Sequence, residues 1–139
     1  MRRVILNVAL LIHLAASGFP QDGVTCDCGA RPDQPTVCLT DTQMSHQVKH
    51  VEMEADRMGD HLNVSGVAVF KLVVGKDGHV INARAISGHP LAIPLLIRAM
   101  DRWRFDPLVR NETAKQVCGR LIVKFSIVKN LSKVEVVRP

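Results

Sequence analysis

Gly66-Val67-Ala68-Val69-Phe70-Lys71-Leu72-Val73-Val74-Gly75-Lys76-Asp77-Gly78-His79-Val80 is the stretch on which the fold turns. Val67 to Val74 is an almost unbroken run of β-branched and other apolar residues, Gly75-Lys76-Asp77-Gly78 is turn chemistry, and Val80 to Ile86 resumes an extended pattern. Two such runs around a short Gly-bearing connection predict a β-hairpin. Gly78 is the expected left-handed residue, where any side chain would clash. A phosphate-cradling loop would need a helix opening on Lys-Ser or Lys-Thr, and none follows.

Downstream, Ser87-Gly88-His89-Pro90 leads into Ile93 to Arg104, which reads as a helix with Pro94 in its first turn. Leu96, Met100 and Trp103 fall on one face with Ile93, Ile97 and Ala99 beside them, so that face should pack on a sheet. Phe105 and Pro107 end the helix, Asn111 to Lys115 reads as a polar loop, and Arg120 to Val128 alternates as a third strand. Val134 to Val137 suggests a short fourth strand. A strand, helix, strand crossover joins parallel strands. The second and third strands should therefore run parallel, each antiparallel to a central first strand, and the third strand is a free edge unless residues 133–137 cap it. The expected fold class is α+β, a β-β-α-β unit with a three-stranded sheet covered by a helix.

Upstream, Thr40 or Asp41 can cap a short helix near 42–52, carrying Met44, Val48 and Val51 at helical spacing. His46 and His50 have the i, i+4 spacing of metal ligands, but no third ligand accompanies them, and a solvated face explains them. Residues 19–39 carry Gly, Asp, Pro and three of the four cysteines without periodicity and read as an irregular leader. Before it, Arg2 and Arg3 precede the apolar run Val4 to Ala16. That run would make a helix of about 20 Å, short of the roughly 30 Å bilayer core. Residues 1–18 therefore read as a signal peptide cleaved after Ala16 or Gly18, with a retained inner-membrane anchor as the alternative. Export makes disulfides the leading reading of Cys26, Cys28, Cys38 and Cys118. Cys26 and Cys28 are too close in sequence to favour each other, so one pairs with Cys38 and the other with Cys118, in either order. A four-thiolate zinc site lacks the two C-x2-C knuckles it would need.

The ordered set Gly66-Val67-Ala68-Val69-Phe70, Asp77-Gly78-His79-Val80, Ser87-Gly88-His89-Pro90-Leu91 and Ala99-Met100-Asp101-Arg102-Trp103-Arg104-Phe105-Asp106-Pro107 resembles the C-terminal domain of TonB-type energy transducers. The similarity spans residues 66–128, with 40–65 as a helical lead-in and 129–139 as a tail. It departs from the family pattern at Glu112, where a loop glycine is common, in having no Tyr before the first strand, and in lacking a long Pro-rich spacer. The resemblance implies a protein-interaction domain in an exported, periplasmic setting, serving transmembrane transport. Its last strand accepts an extended segment of an outer-membrane receptor by β-augmentation, or pairs with a second copy. The receptive positions would be Arg120, Ile122, Lys124, Ser126 and Val128. Gly78, Trp103, Phe105 and Pro107 match the family motif and read as turn, core and helix termination. The other reading is a stand-alone structural or regulatory envelope module whose edge is self-capped or dimerising, without energy coupling.

Other function classes find less support. The chain has 139 residues, 18 Lys and Arg, 13 Asp and Glu and a formal charge of +5. Removing Arg2 and Arg3 with the export segment leaves +3, spread along the chain with 4% aromatics, which provides no stripe or stacking platform for nucleic acid. Arg98, Arg102 and Arg104 form a local basic cluster compatible with membrane association without requiring it. No G-x-S-x-G, H-E-x-x-H or P-loop is present, and Ser87 and His89 have no carboxylate placed to complete a triad. The expectation is a non-enzymatic chain with no cofactor and no metal.

Overall fold

The computed structural model of the chain describes Cys28 and residues 36–53, 62–129 and 131–139. The expected export segment 1–18 and Cys26 lie outside the described residues. The elements run β1 (Thr36–Cys38), α1 (Asp41–Gln47), β2 (Val48–His50), β3 (Asn63–Val74), β4 (Val80–Ser87), α2 (Ile93–Ala99), a 3-10 turn over Met100–Arg102, β5 (Arg104–Phe105), β6 (Leu108–Arg110), β7 (Thr113–Val128) and β8 (Leu131–Val136). The fold is α+β.

At its centre is the β-β-α-β unit expected from the sequence. β3 lies between β4 and β7 and is antiparallel to both. The sheet is larger than the three strands foreseen, because β1, β6 and β8 all pair with β7 and bring it to six strands among the described residues. Alternation decides the faces. Ala68, Phe70, Leu72 and Val74 of β3 and Leu121, Val123, Phe125 and Ile127 of β7 are all buried under Leu96, Met100 and Trp103. Each large apolar side chain taken fully from water contributes about 1.5–3 kcal/mol, and this inner face holds most of them.

Both helices and the 111–115 loop differ from their sequence expectation, and for the first helix a tertiary contact outcompetes local preference. The first helix stops at Gln47 instead of running to residue 52. Val48 turns extended (φ −69°, ψ 118°) and pairs with Phe105, and the Gln47 carbonyl accepts from the Asp106 N–H at 2.7 Å. His46 and His50 therefore do not share a helix face, and His50 instead faces Glu52 at 3.2 Å. The helix start is as read: Thr40 caps it, exchanging bonds with Gln43 in a capping box. The second helix is regular only to Ala99, and Ile97 is exposed while Leu95 and Leu96 are buried. The polar loop over 111–115 is a two-residue hairpin turn, with Asn111 (φ 51°) and Glu112 (φ 61°) both left-handed and Arg110 paired with Thr113. β7 is thereby sixteen residues long.

The hairpin turn and the end of the helix meet. Gly78 has φ +83°, and a Cβ there would lie 2.1 Å from the Phe105 carbonyl oxygen, while the Phe105 N–H donates to the Gly78 carbonyl at 2.9 Å. Both reasons for glycine, left-handed backbone and close approach, act at this position. Trp103 is fully buried, and its Nε1 donates to the Glu52 carbonyl at 2.7 Å, so the indole joins the lead-in segment to the sheet. Gly78→Ala should destabilise the fold by about 1–3 kcal/mol or more, read as a lower midpoint in urea at unchanged slope. Glu112→Gly should act in the opposite direction. Relieving one left-handed non-glycine residue is worth about 1 kcal/mol, which raises Tm by roughly 3–4 °C in a chain of this size.

Candidate functional site

A strand offers two rows of backbone donors and acceptors, and β7 spends one on β3 in an unbroken ladder from Asn63–Val128 to Val74–Val117. The other row is where a partner strand would enter. β1 runs parallel to β7 over Gln116, Val117 and Cys118, and the Leu39 N–H continues onto the Cys118 carbonyl at 2.8 Å. From the opposite end β8 pairs antiparallel over Val123 to Val128, and the Val137 N–H reaches the Ile122 carbonyl at 2.9 Å. Between them α1 lies against the strand. A Cβ on Gly119 would stand 3.0 Å from the Leu39 carbonyl and 3.3 Å from the Met44 Cβ, so the absent side chain lets the helix approach. The edge left conditional by the sequence is closed by the chain's own tail.

The closure has a local cause. Val128 pairs with Leu131, and Lys129, directly after β7, is left-handed (φ 52°). Strands this close in sequence pair at little entropic cost. Alternation in Leu131-Ser132-Lys133-Val134-Glu135-Val136 then sets Ser132, Val134 and Val136 towards the core and Lys133 and Glu135 outward. Ser132 Oγ donates to the Met53 carbonyl. None of the six β8 residues is fully buried, and Leu131 is 78% exposed.

The five receptive positions have these places. Arg120 lies in the gap between β1 and β8, where its guanidinium makes a two-pronged pair with the Asp41 carboxylate at 3.0 and 2.7 Å, a bond that raises its pKa further. Ile122 is half-buried opposite Val69. Lys124 stands between Val67 and Glu135, Ser126 between Ser65 and Lys133, and Val128 between Asn63 and Leu131. Glu135 is held below the usual carboxylate range by its hydrogen bond to Lys133, by the Lys133 charge, and by Lys124 across the ladder. The pairing role of Glu135, Lys133 and Asp41 was not read from the sequence. The period-2 pattern of residues 131–136 carried the signal for the first two. No local pattern links Asp41 to Arg120, 79 positions away.

The remaining candidates are structural. Cys28 bridges Cys118 across 90 residues, with Cα atoms 6.4 Å apart, and Cys38, also in a disulfide, pairs in register with Cys118. Cys28, Val73 and Cys118 form a small buried cluster on the sheet face opposite the main core. His89 Nδ1 accepts the Leu91 N–H at 3.2 Å, which commits that nitrogen to a turn. Arg104 donates to the Asp101 and Trp103 carbonyls, each at 2.8 Å, closing the end of the 3-10 turn. Among the described residues no group of three metal-ligating side chains converges, and no helix is long and apolar enough to cross a membrane.

Set beside solved structures, the chain is similar to the solution NMR structure of the Pseudomonas aeruginosa TonB CTD. The identity is 18%, the match covers 67% of this chain and 97% of that one, and the TM-score is 0.45. No protein-family model matches the chain, and no curated protein matches it. A likeness this remote assigns no partner.

Proposed function

We propose that the chain is an exported protein-interaction domain that receives an extended partner segment at β7, with β8 as the resident strand that the partner replaces. The partner is a segment of an outer-membrane receptor, as the sequence resemblance to TonB-type transducers implies, and the setting is periplasmic transmembrane transport. The observation that carries this reading is the combination of a complete ladder with shallow burial in β8. Its backbone satisfies β7 from Ile122 to Val128, yet no residue of β8 is fully buried. A strand held mainly by backbone bonds and half-buried side chains belongs to the low-stability end of a fold and opens without global unfolding. An incoming strand would remake the same backbone bonds and bring its own side chains opposite Lys124 and Ser126.

The same closure favours a second reading, a stand-alone envelope module whose edge is permanently self-capped. Native-state hydrogen exchange separates the two. Under exchange of strands, amides of Leu131–Val136 and their β7 partners open through a local route well below the free energy that opens β3. Under permanent capping they open only with the whole domain.

A binding measurement completes the test. A chain lacking residues 131–139 is titrated with the synthetic nonapeptide Leu-Ser-Lys-Val-Glu-Val-Val-Arg-Pro, its folding checked by the near-ultraviolet signal of Trp103. The shortened chain should bind the peptide saturably with amide shifts over 122–128, and the full chain at least tenfold more weakly. A folded, shortened chain that ignores the peptide would rule out β7 as an acceptor.

A further inference from the structure

Opposite the helix-covered core, the sheet has an outer face that β3, β4 and β7 share, and cross-strand register arranges its side chains in rows. Arg84, Lys71 and Arg120 stand side by side on the three strands. One step along, Ile86 at the bulge, Val69 and Ile122 make an apolar row, with Ile86 49% exposed. The next step on β3 is Val67, 52% exposed, and on β7 it is Lys124. The apolar floor thus lies between cations at Arg120 and Lys124 on the same strand, about 13 Å apart at four residues of strand rise. An α-helix with its side chains is about 10–12 Å across.

Two features call for an anionic occupant. Like charges directly opposite one another on a sheet are destabilising, and Lys71 faces both Arg84 and Arg120. Asp41 offsets Arg120 alone, and Glu135 is already paired with Lys133 at 2.7 Å. The shapes also select among occupants. Val and Ile side chains are shorter than the Arg and Lys beside them, so the apolar row is recessed between charged heads, a form that admits a protein segment better than a flat bilayer. A second copy laid face to face would bring one cationic row towards another.

We infer that this outer face is a docking surface for an acidic amphipathic segment of a partner protein, its apolar side on Ile86, Val69 and Ile122 and its carboxylates on Arg84 and Lys71. The surface shares Arg120, Ile122 and Lys124 with β7 but does not use the row of backbone groups that β8 occupies. Its remaining residues, on β3 and β4, stay in place whether or not β8 is displaced, and its test does not depend on strand exchange.

The test uses the full mature chain with disulfides intact and two 18-residue peptides, one with Leu at three- and four-residue spacing flanked by Glu, the other identical with Lys for Glu. The Glu peptide should bind saturably, shift the methyl signals of Val69, Ile86 and Ile122, and weaken as salt is raised. Affinity should fall at least tenfold in the Lys71→Glu, Arg84→Glu double variant and in Ile122→Thr, with folding verified by an unchanged Trp103 environment. A Lys71→Gln, Arg84→Gln pair supplies a milder charge loss with a smaller effect expected. Absence of saturation, equal affinity for the Lys peptide, or shifts confined to other residues would overturn the inference. So would either of two substitutes: phosphatidylglycerol vesicles producing the same methyl shifts, which would make the surface a lipid site, or deletion of residues 19–25 producing them without peptide, which would make the chain's own leader the occupant.

Discussion

The antiparallel ladder between β3 and β7 is the interaction from which the other parts take their positions. It runs unbroken from Asn63–Val128 to Val74–Val117, and along it every second residue from Ala68 to Val74 on β3 and from Leu121 to Ile127 on β7 enters the core. Because β7 is longer than β3, it has room for β6 at its start, and its second edge takes β1 and β8. The helix needs that platform. Its apolar side chains have no other surface on which to be removed from water, and seven residues of α-helix would not hold in isolation.

Closure of the second edge of β7 changes what an interaction by strand addition requires. An open edge binds by simple addition, and its affinity is the full gain of new backbone bonds. Here the bonds already exist, so a partner gains only the difference between its side chains and those of β8, less any strain in moving the tail. Under the proposed strand exchange, affinity would depend on side-chain selectivity at Lys124 and Ser126 more than on backbone pairing. The resident strand also protects the domain, since an unpaired row of amides along β7 would be a template for aggregation.

The outer face has a different logic. Near its disulfide end it is covered, with Val73 and Cys118 buried against Cys28, while six residues away on β3, Val67 is exposed. The bridge across 90 residues fastens the start of the described chain to one end of the face, where Cys28 borders Lys71 and Arg84, while Ile86 and Val67 farther along are exposed. A contiguous apolar row rimmed by charge is the kind of surface that marks contact with another molecule.

Period and turn chemistry determined a good deal by themselves. The β3–β4 hairpin, the left-handed Gly78, the capped start of α1 and the parallel relation of β4 and β7 all follow from local sterics and the handedness of crossovers, which need no knowledge of distant residues. The short extent of α1, the conversion of 111–115 from loop to turn, the register of β8 on β7, the Arg120–Asp41 pair and the approach of Phe105 to Gly78 were decided only by the tertiary structure. Each depends on which surface arrives opposite a given residue. Val48 is compatible with helix or strand until Phe105 is beside it, and residues 131–136 alternate whether they cap this chain or another. Local propensities differ by less than about 1 kcal/mol, so a single backbone pairing or one buried side chain outweighs them, and those gains exist only once the chain has folded.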